Sequence, residues 1–293
     1  MTQTTNQTAQ TETVPQTLRL GVSSYSYWHF TPEKVPLSEI VDKAADSGVM
    51  GLEILHQQLE SESNSYLQDI KRQAFRRGLA LYNLGTSQNF VAKDKSEREA
   101  QVQHTKHCID LAHALGVPSI RVNAGTWQYP GGPGLIESRG WTEPWDGFSD
   151  EDGFRWAVEG LGACVDYAKE QGVMMLLENH WGLTTTAAGM LRVLEGVNSP
   201  WLRAILDMGN FYYDGDMYGP MERVAPYVDL AHAKTYPGGG LVFTIDIDFA
   251  RVFRILKNAG FQGYVSVEME GKEHADTAVP KSIKILQEAW AES

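Results

Sequence analysis

The feature that most constrains this chain is a strand–helix alternation repeated eight times. Short β-rich runs fall at Leu18–Tyr25, Gly51–Leu55, Ala80–Leu84, Ser119–Asn123, Val173–Glu178, Arg203–Asp207, Val228–His232 and Gly263–Glu268. Amphipathic stretches lie between them, among them Ser38–Ser47, Ser63–Arg77, Lys95–Leu115, Gly153–Gln171, Asp248–Ala259 and Ala278–Ala291. Gly48, Gly78, Gly116, Gly172 and Gly260 each follow a helical stretch just before a strand, where a left-handed residue closes a helix without steric penalty. Such repetition predicts a parallel α/β architecture, and eight units close a single-domain (β/α)₈ barrel. An open doubly wound sheet is the competing layout. Against it, no GxGxxG follows the first strand, where the chain runs from Gly21 to Trp28 through Ser23, Ser24, Tyr25, Ser26 and Tyr27. The expected boundaries are a disordered tail over residues 1–17 and a catalytic barrel over 18–293.

With 42% hydrophobic and 21% charged residues, the 293-residue chain has ordinary globular composition. A formal net charge of -12 opposes binding to a polyanion, and no segregated basic patch offsets it. The densest basic run, Lys71, Arg72, Arg76 and Arg77, reads as a solvated helix face. No nucleic-acid partner is therefore expected. Cys108 and Cys164 sit in apolar helical patterns without a CxxC, so reduced buried thiols and a cytoplasmic home are expected. The Thr- and Gln-rich start has no basic or apolar leader region, and no apolar run is long enough to span a bilayer. The expected partner is a small-molecule carbohydrate, with a homo-oligomer left open.

Four successive strands end in an ionisable group: Glu178, Asp207, His232 and Glu268, spaced by 29, 25 and 36 residues. Neighbouring parallel strands lie about 4.8 Å apart, so equivalent positions converge. Three carboxylates crowded together raise one another's pKa, and a divalent cation relieves the repulsion. No arginine falls close enough in sequence to pair all three. Three carboxylates and an imidazole suit Mn²⁺, our leading expectation, and equally accept Mg²⁺, Co²⁺ or Zn²⁺. Alternation places His180, Lys234 and Glu270 one step outward on the same faces as Glu178, His232 and Glu268. Periodicity alone allows either Glu268 or Glu270 as the fourth ligand.

The run of Leu177-Glu-Asn-His180, Leu206-Asp-Met-Gly-Asn-Phe211, Ala231-His-Ala-Lys234 and Val267-Glu-Met-Glu-Gly271 resembles the xylose isomerase-like TIM barrel superfamily. Within it the chain is similar to sugar phosphate isomerases/epimerases, relatives of inosose dehydratases and ketose 3-epimerases. The likeness extends from Leu18 to about Ala291. It implies one metal held by Glu178, Asp207, His232 and Glu268, favouring Glu268 over Glu270. It also implies that Glu178 and Glu268 exchange a proton on opposite sides of the substrate carbon, the metal chelating the carbonyl and adjacent hydroxyl of an enediolate. The chain departs from the ketose 3-epimerases in two places. It has Asn210 where they have a His after the strand-six Asp, and no Arg after the strand-seven His.

The remaining candidates are substrate contacts: His180, Lys234, Asn210 and Glu270, with Glu53 and His56 on and after strand two. Asn123 closes strand four, and Trp28 or Trp181 offers a face for sugar stacking. Each has a bland alternative, such as a buried hydrogen bond for Glu53, a turn for Asn123 and a Lys234–Glu270 ion pair. His104, His107 and His113 lack the i, i+4 spacing of a helical zinc pair and read as surface or packing residues. The connection Ala124–Asp150, with three Trp and six Gly, reads as an ordered lid. No basic residues converge with Gly238–Gly240, so an unphosphorylated substrate is preferred. The expected reaction is isomerisation or epimerisation by proton abstraction beside a carbonyl. The alternatives are elimination of a β-leaving group, as in a lyase or dehydratase, and a non-catalytic sugar-binding barrel. A multi-zinc DNA-repair enzyme would need more strand-end histidines.

Overall fold

The computed structural model describes residues 16–128, 140–211 and 215–293. Most of the expected tail, and the centre of the expected lid, lie outside these residues; Gln16 already bonds the Lys257 carbonyl. Eight parallel strands close a barrel in sequence order. They are β1 Arg19–Ser23, β2 Gly51–Leu55, β3 Ala80–Gly85, β4 Ser119–Val122, β5 Met174–Glu178, β6 Leu202–Asp207, β7 Val228–Thr235 and β8 Tyr264–Met269. The helices of the described residues are α1 Leu37–Asp46, α2 Asn64–Arg76, α3 Lys95–Leu115, α4 Asp150–Gln171, α5 Ala187–Val197, α6 Tyr218–Val224, α7 Phe249–Asn258 and α8 Ala275–Glu292. The (β/α)₈ expectation holds, and no helix of the described residues is long and apolar enough to cross a membrane.

Local chemistry explains the punctuation. Gly116 and Gly172 cap α3 and α4 with φ of 70° and 69°, a region other residues enter only at a cost. Ser63, Thr186 and Asp248 begin α2, α5 and α7 by accepting a bond from the backbone N–H three residues on. Each helix turns an apolar stripe to the barrel; in α7 it is Val252, Phe253, Ile255 and Leu256. This outer layer forms the main core, while a small apolar cluster of Tyr82, Leu176, Ile205 and Leu230 fills the barrel floor.

Two bulges set what the barrel interior presents. Between β2 and β3 the register skips Tyr82, and its ring enters the floor, stacked on Tyr264 at 4.3 Å. Space for that ring comes from Gly21 and Gly51, where an added Cβ would collide with it. Between β6 and β7 the register skips Asp229, whose carboxylate instead pairs with Arg203 at 3.1 Å on the outside. That slip places His232 opposite Asp207; an unbroken ladder from Ala204–Val228 would have placed Ala231 there.

The floor gives the first test. Gly21→Ala drives a methyl into the Tyr82 ring and should cost about 1–3 kcal/mol through overpacking, read as a lower urea midpoint. Adding Tyr82→Leu should recover part of the loss. A single variant as stable as the parent would contradict the packing.

Candidate metal centre

Glu178, Asp207, His232 and Glu268 all point into the barrel above the floor, and one donor atom of each lies within 4.8 Å of the others. All four are buried. They do not sit at equivalent register positions, as simple strand spacing suggests. Asp207 pairs with His232, but Glu178 pairs with Ile205 and Glu268 with Lys234. The offset is the stagger by which tilted strands close a barrel.

Each side chain is held by a neighbour that leaves one donor atom facing the others. The Asn179 amide clamps the Asp207 backbone from both sides, donating to its carbonyl at 2.9 Å and accepting from its N–H at 2.6 Å. The Gly209 N–H fixes Asp207 Oδ1 at 2.8 Å. His232 Nε2 meets Glu53 Oε2 at 3.0 Å, which turns Nδ1 toward Glu178 Oε1 at 2.9 Å and Glu268 Oε1 at 3.4 Å. Glu53 is itself saturated: Asn83 donates to Oε1 at 2.9 Å and Ser266 to Oε2 at 2.9 Å.

Two cations join the carboxylates. Arg121, from β4, places Nη1 3.4 Å from Glu178 Oε2. Lys234 reaches Asp207 Oδ2 at 3.0 Å, Glu268 Oε2 at 3.2 Å and Glu270 Oε1 at 2.9 Å. Gly209 makes that reach feasible, because a Cβ there would lie 2.8 Å from Lys234 Cδ. Even so, Glu178 Oε2 and Asp207 Oδ2 are buried without an aligned hydrogen-bond donor. The nearby ammonium and guanidinium give charge contact but not a directed bond. Two unfilled carboxylate oxygens beside an imidazole nitrogen and a third carboxylate form a donor set that fits one divalent cation.

Titration follows from these contacts. Burial opposes ionisation of Glu178, but Arg121, His180 and His232 override it and hold the carboxyl below its usual range. Burial raises Asp207 despite Lys234. Burial would lower His232, yet Glu268, Glu53 and Glu178 raise it well above the usual imidazole value. Burial lowers His180 to about 4, so its ring is neutral near pH 7.

The other expected site residues divide. His180, Lys234 and Glu270 gather at the mouth of the cluster. Asn123 shares the inward face with Arg121 and has a buried Nδ2 with no partner. Glu53 is corrected from a substrate contact to a buried support under His232, because both of its oxygens are occupied from below and beside. Asn210 directs its amide to the Asn179 carbonyl at 3.0 Å and braces the strand ends. His56 is not brought to the cluster; it pairs with Glu62 at 2.8 Å. Trp28 is buried, with its indole N–H on the Thr31 carbonyl and the Lys34 ammonium 5.2 Å over its ring. Trp181 lies beside His180, ring centroids 4.7 Å apart, against Gly140 of the lid connection. Two lid tryptophans, Trp127 and Trp145, pack on each other at 5.2 Å, and Trp127 packs on Trp156 of α4 at 5.8 Å.

Three residues escaped the sequence reading. Arg121 is far in sequence from all three carboxylates and pairs with Glu178; its signal was a charge between Ile120 and Val122 in an otherwise buried strand. Tyr25 and Tyr236 both feel the charges of Glu270 and Lys234, and the Tyr236 hydroxyl is buried without a partner.

The barrel is of the xylose isomerase-like class. The xylose isomerase-like TIM barrel family model matches residues 41–289, and the chain belongs to that family. It is 25% identical over 205 residues to the inosose dehydratase of Serratia proteamaculans, covering 59% of this chain and 64% of that protein. In structure it is similar to D-psicose 3-epimerase from Clostridium cellulolyticum H10, with a TM-score of 0.74, 16% identity and coverage of 93% and 99%. It is also similar to 3-keto-D-glucoside 4-epimerase from E. coli, with a TM-score of 0.70, 17% identity and coverage of 93% and 100%. At these identities the structural likenesses show the fold alone.

The Glu53–His232 bond gives the second test. Glu53→Gln should weaken Mn²⁺ binding about 10–100-fold, the usual effect of losing a carboxylate behind a histidine ligand. Calorimetric titration should show Asp207→Asn losing the site altogether; unchanged affinity in Glu53→Gln would refute the support role.

Proposed function

We propose that this protein is a divalent-metal-dependent isomerase or epimerase of a sugar or keto-sugar derivative, acting by proton abstraction next to a carbonyl. The observation that carries the reading is the pair of unfilled oxygens on Glu178 and Asp207, facing His232 and Glu268 over an apolar floor. Glu178, Asp207, His232 and Glu268 would hold the cation, with Mn²⁺ the first ion to try. When bound, that cation supplies Lewis acidity toward a carbonyl and its neighbouring hydroxyl.

The chain's own groups supply the rest. Glu178 and Glu268 enter from β5 and β8, on either side of Asp207 and His232, and act as the proton acceptor and donor. Arg121 keeps Glu178 ionised, the form that can accept a proton. Lys234 holds Glu268 and Glu270 together and offers positive charge where an oxyanion develops. Neutral His180 and the free Asn123 amide are placed to bond substrate hydroxyls, and Trp181 offers a face at the rim. Lys234 stands in for the arginine that the ketose 3-epimerases carry, so a substrate other than a simple ketohexose is favoured. The amides after β7 turn inward on the protein: Gly239 N–H bonds the Tyr236 carbonyl and Gly240 N–H bonds Thr244. With these two amides occupied, an unphosphorylated substrate is favoured. Two buried free thiols suit a reducing, cytoplasmic compartment.

A second reading is elimination of a β-leaving group, favoured by the 25–26% identity to two inosose dehydratases. Both readings share the first proton abstraction, so one experiment addresses them. Metal-free protein reloaded with Mn²⁺ is incubated in D₂O with ketohexoses, 3-keto-glycosides and inososes, and followed by NMR. Epimerisation puts deuterium into recovered and epimeric sugar, whereas elimination gives an unsaturated product. Glu178→Gln and Glu268→Gln should each lower turnover about 10²–10⁴-fold, the span of general acid–base catalysis. Either variant retaining full activity on a true substrate would sink the two-glutamate mechanism.

A further inference from the structure

A second cluster of metal-ligating side chains lies outside the acidic centre, on the rim formed by the segment after β2, the segment after β3 and the helix α3. His56, His104 and Cys108 each offer a donor atom, and these atoms lie within 4.8 Å of one another. Glu62 stands behind His56, with Oε1 2.8 Å from His56 Nε2. We infer that His56, His104 and Cys108 form a second metal site, suited to a borderline-soft divalent ion such as Zn²⁺, that ties the strand-two loop to α3.

The geometry is close to what a tetrahedral ion requires. Bond lengths of about 2.0–2.3 Å to N, O and S ligands put neighbouring donor atoms roughly 3.3–3.6 Å apart. Cys108 Sγ lies 3.7 Å from His104 Nε2. His104 and Cys108 are four residues apart in α3, so one turn presents both on the same face. The pair that sequence spacing misses is therefore His–Cys, not His–His. The His56 ring faces that of His104 at 5.9 Å between centroids.

The outer partners are those a metal site needs. The Ser87 backbone carbonyl engages His104, which fixes that ring. His107 Nε2 holds Glu62 Oε2 at 2.8 Å, which steadies the carboxylate that orients His56. Cys108 is fully buried, with Thr86 beside its thiol. A thiol and two imidazoles suit Zn²⁺ or Co²⁺, whereas the oxygen-rich centre over the floor suits Mn²⁺ or Mg²⁺. The two sites thus differ in chemistry as well as place.

Cobalt reads them separately, because sulfur ligation gives a near-ultraviolet charge-transfer band that an oxygen and nitrogen site lacks. The full chain, stripped with chelator, is titrated with Co²⁺. We expect the band to saturate at one ion of two bound, and Zn²⁺ to bleach it. Cys108→Ser should lose the band and keep one ion. His56→Ala, which alters a half-buried rim residue rather than the core, should also lose it. Asp207→Asn and Cys164→Ser should retain it. No band at saturating Co²⁺, or an undiminished band in His56→Ala, overturns the site.

Discussion

Glu53 and His232 meet 3.0 Å apart with essentially no exposure, and the rest of the site depends on that contact. A buried carboxylate without compensation is strongly unfavourable, and an imidazole free to rotate would present either nitrogen. Joined, the two groups solve both problems: Glu53 is compensated, and His232 is fixed with Nδ1 toward Glu178 and Glu268. The contact rests on others beneath it. Tyr82 donates to Ser266 at 2.7 Å, and Ser266 donates to Glu53 at 2.9 Å. A hydrogen-bonded column thus rises from the stacked tyrosines of the floor to the donor atoms of the candidate centre. The geometry of the candidate centre is inherited from barrel packing, which is why two glycines opposite Tyr82 matter to a site they never touch.

Much of this was legible in the sequence, for identifiable reasons. Strands buried on both faces read as apolar runs, and a charge at the end of such a run marks the face where barrel enzymes place chemistry. Glu178, Asp207 and His232 stood out on those grounds alone, Glu268 was chosen over Glu270 by the family resemblance, and the structure gathers the four. What could not be read is register. The slip at Asp229 that sets His232 against Asp207 has no signature in composition, since an exposed Asp in a strand also reads as an ordinary edge charge. Arg121 was hidden differently. It lies more than fifty residues before Glu178 in the chain, and only the pairing of β4 with β5 brings the two to one height. Glu53 was visible as a strand-two carboxylate, but whether it faces substrate or supports a ligand depends on who stands above it.

Lys234 joins the departure from the ketose epimerases to the electrostatics of the centre. Its ammonium touches three carboxylates at 2.9–3.2 Å, two of them candidate metal ligands. A cation in that place reduces the negative charge that would attract a metal, so it would be a poor choice if its role were only structural. Its lever arm argues for another role. Gly209 keeps a channel open for the methylene stem, and Glu270, one layer nearer the mouth and partly exposed, offers the ammonium an outward berth. A cation bound to Asp207 and Glu268 would repel the ammonium toward Glu270 at the mouth. On the proposed reading, one positive group would steady the carboxylates without the ion and face the mouth with it. An arginine, with its planar fork committed to fixed partners, is less suited to that exchange than a compact ammonium on a flexible stem.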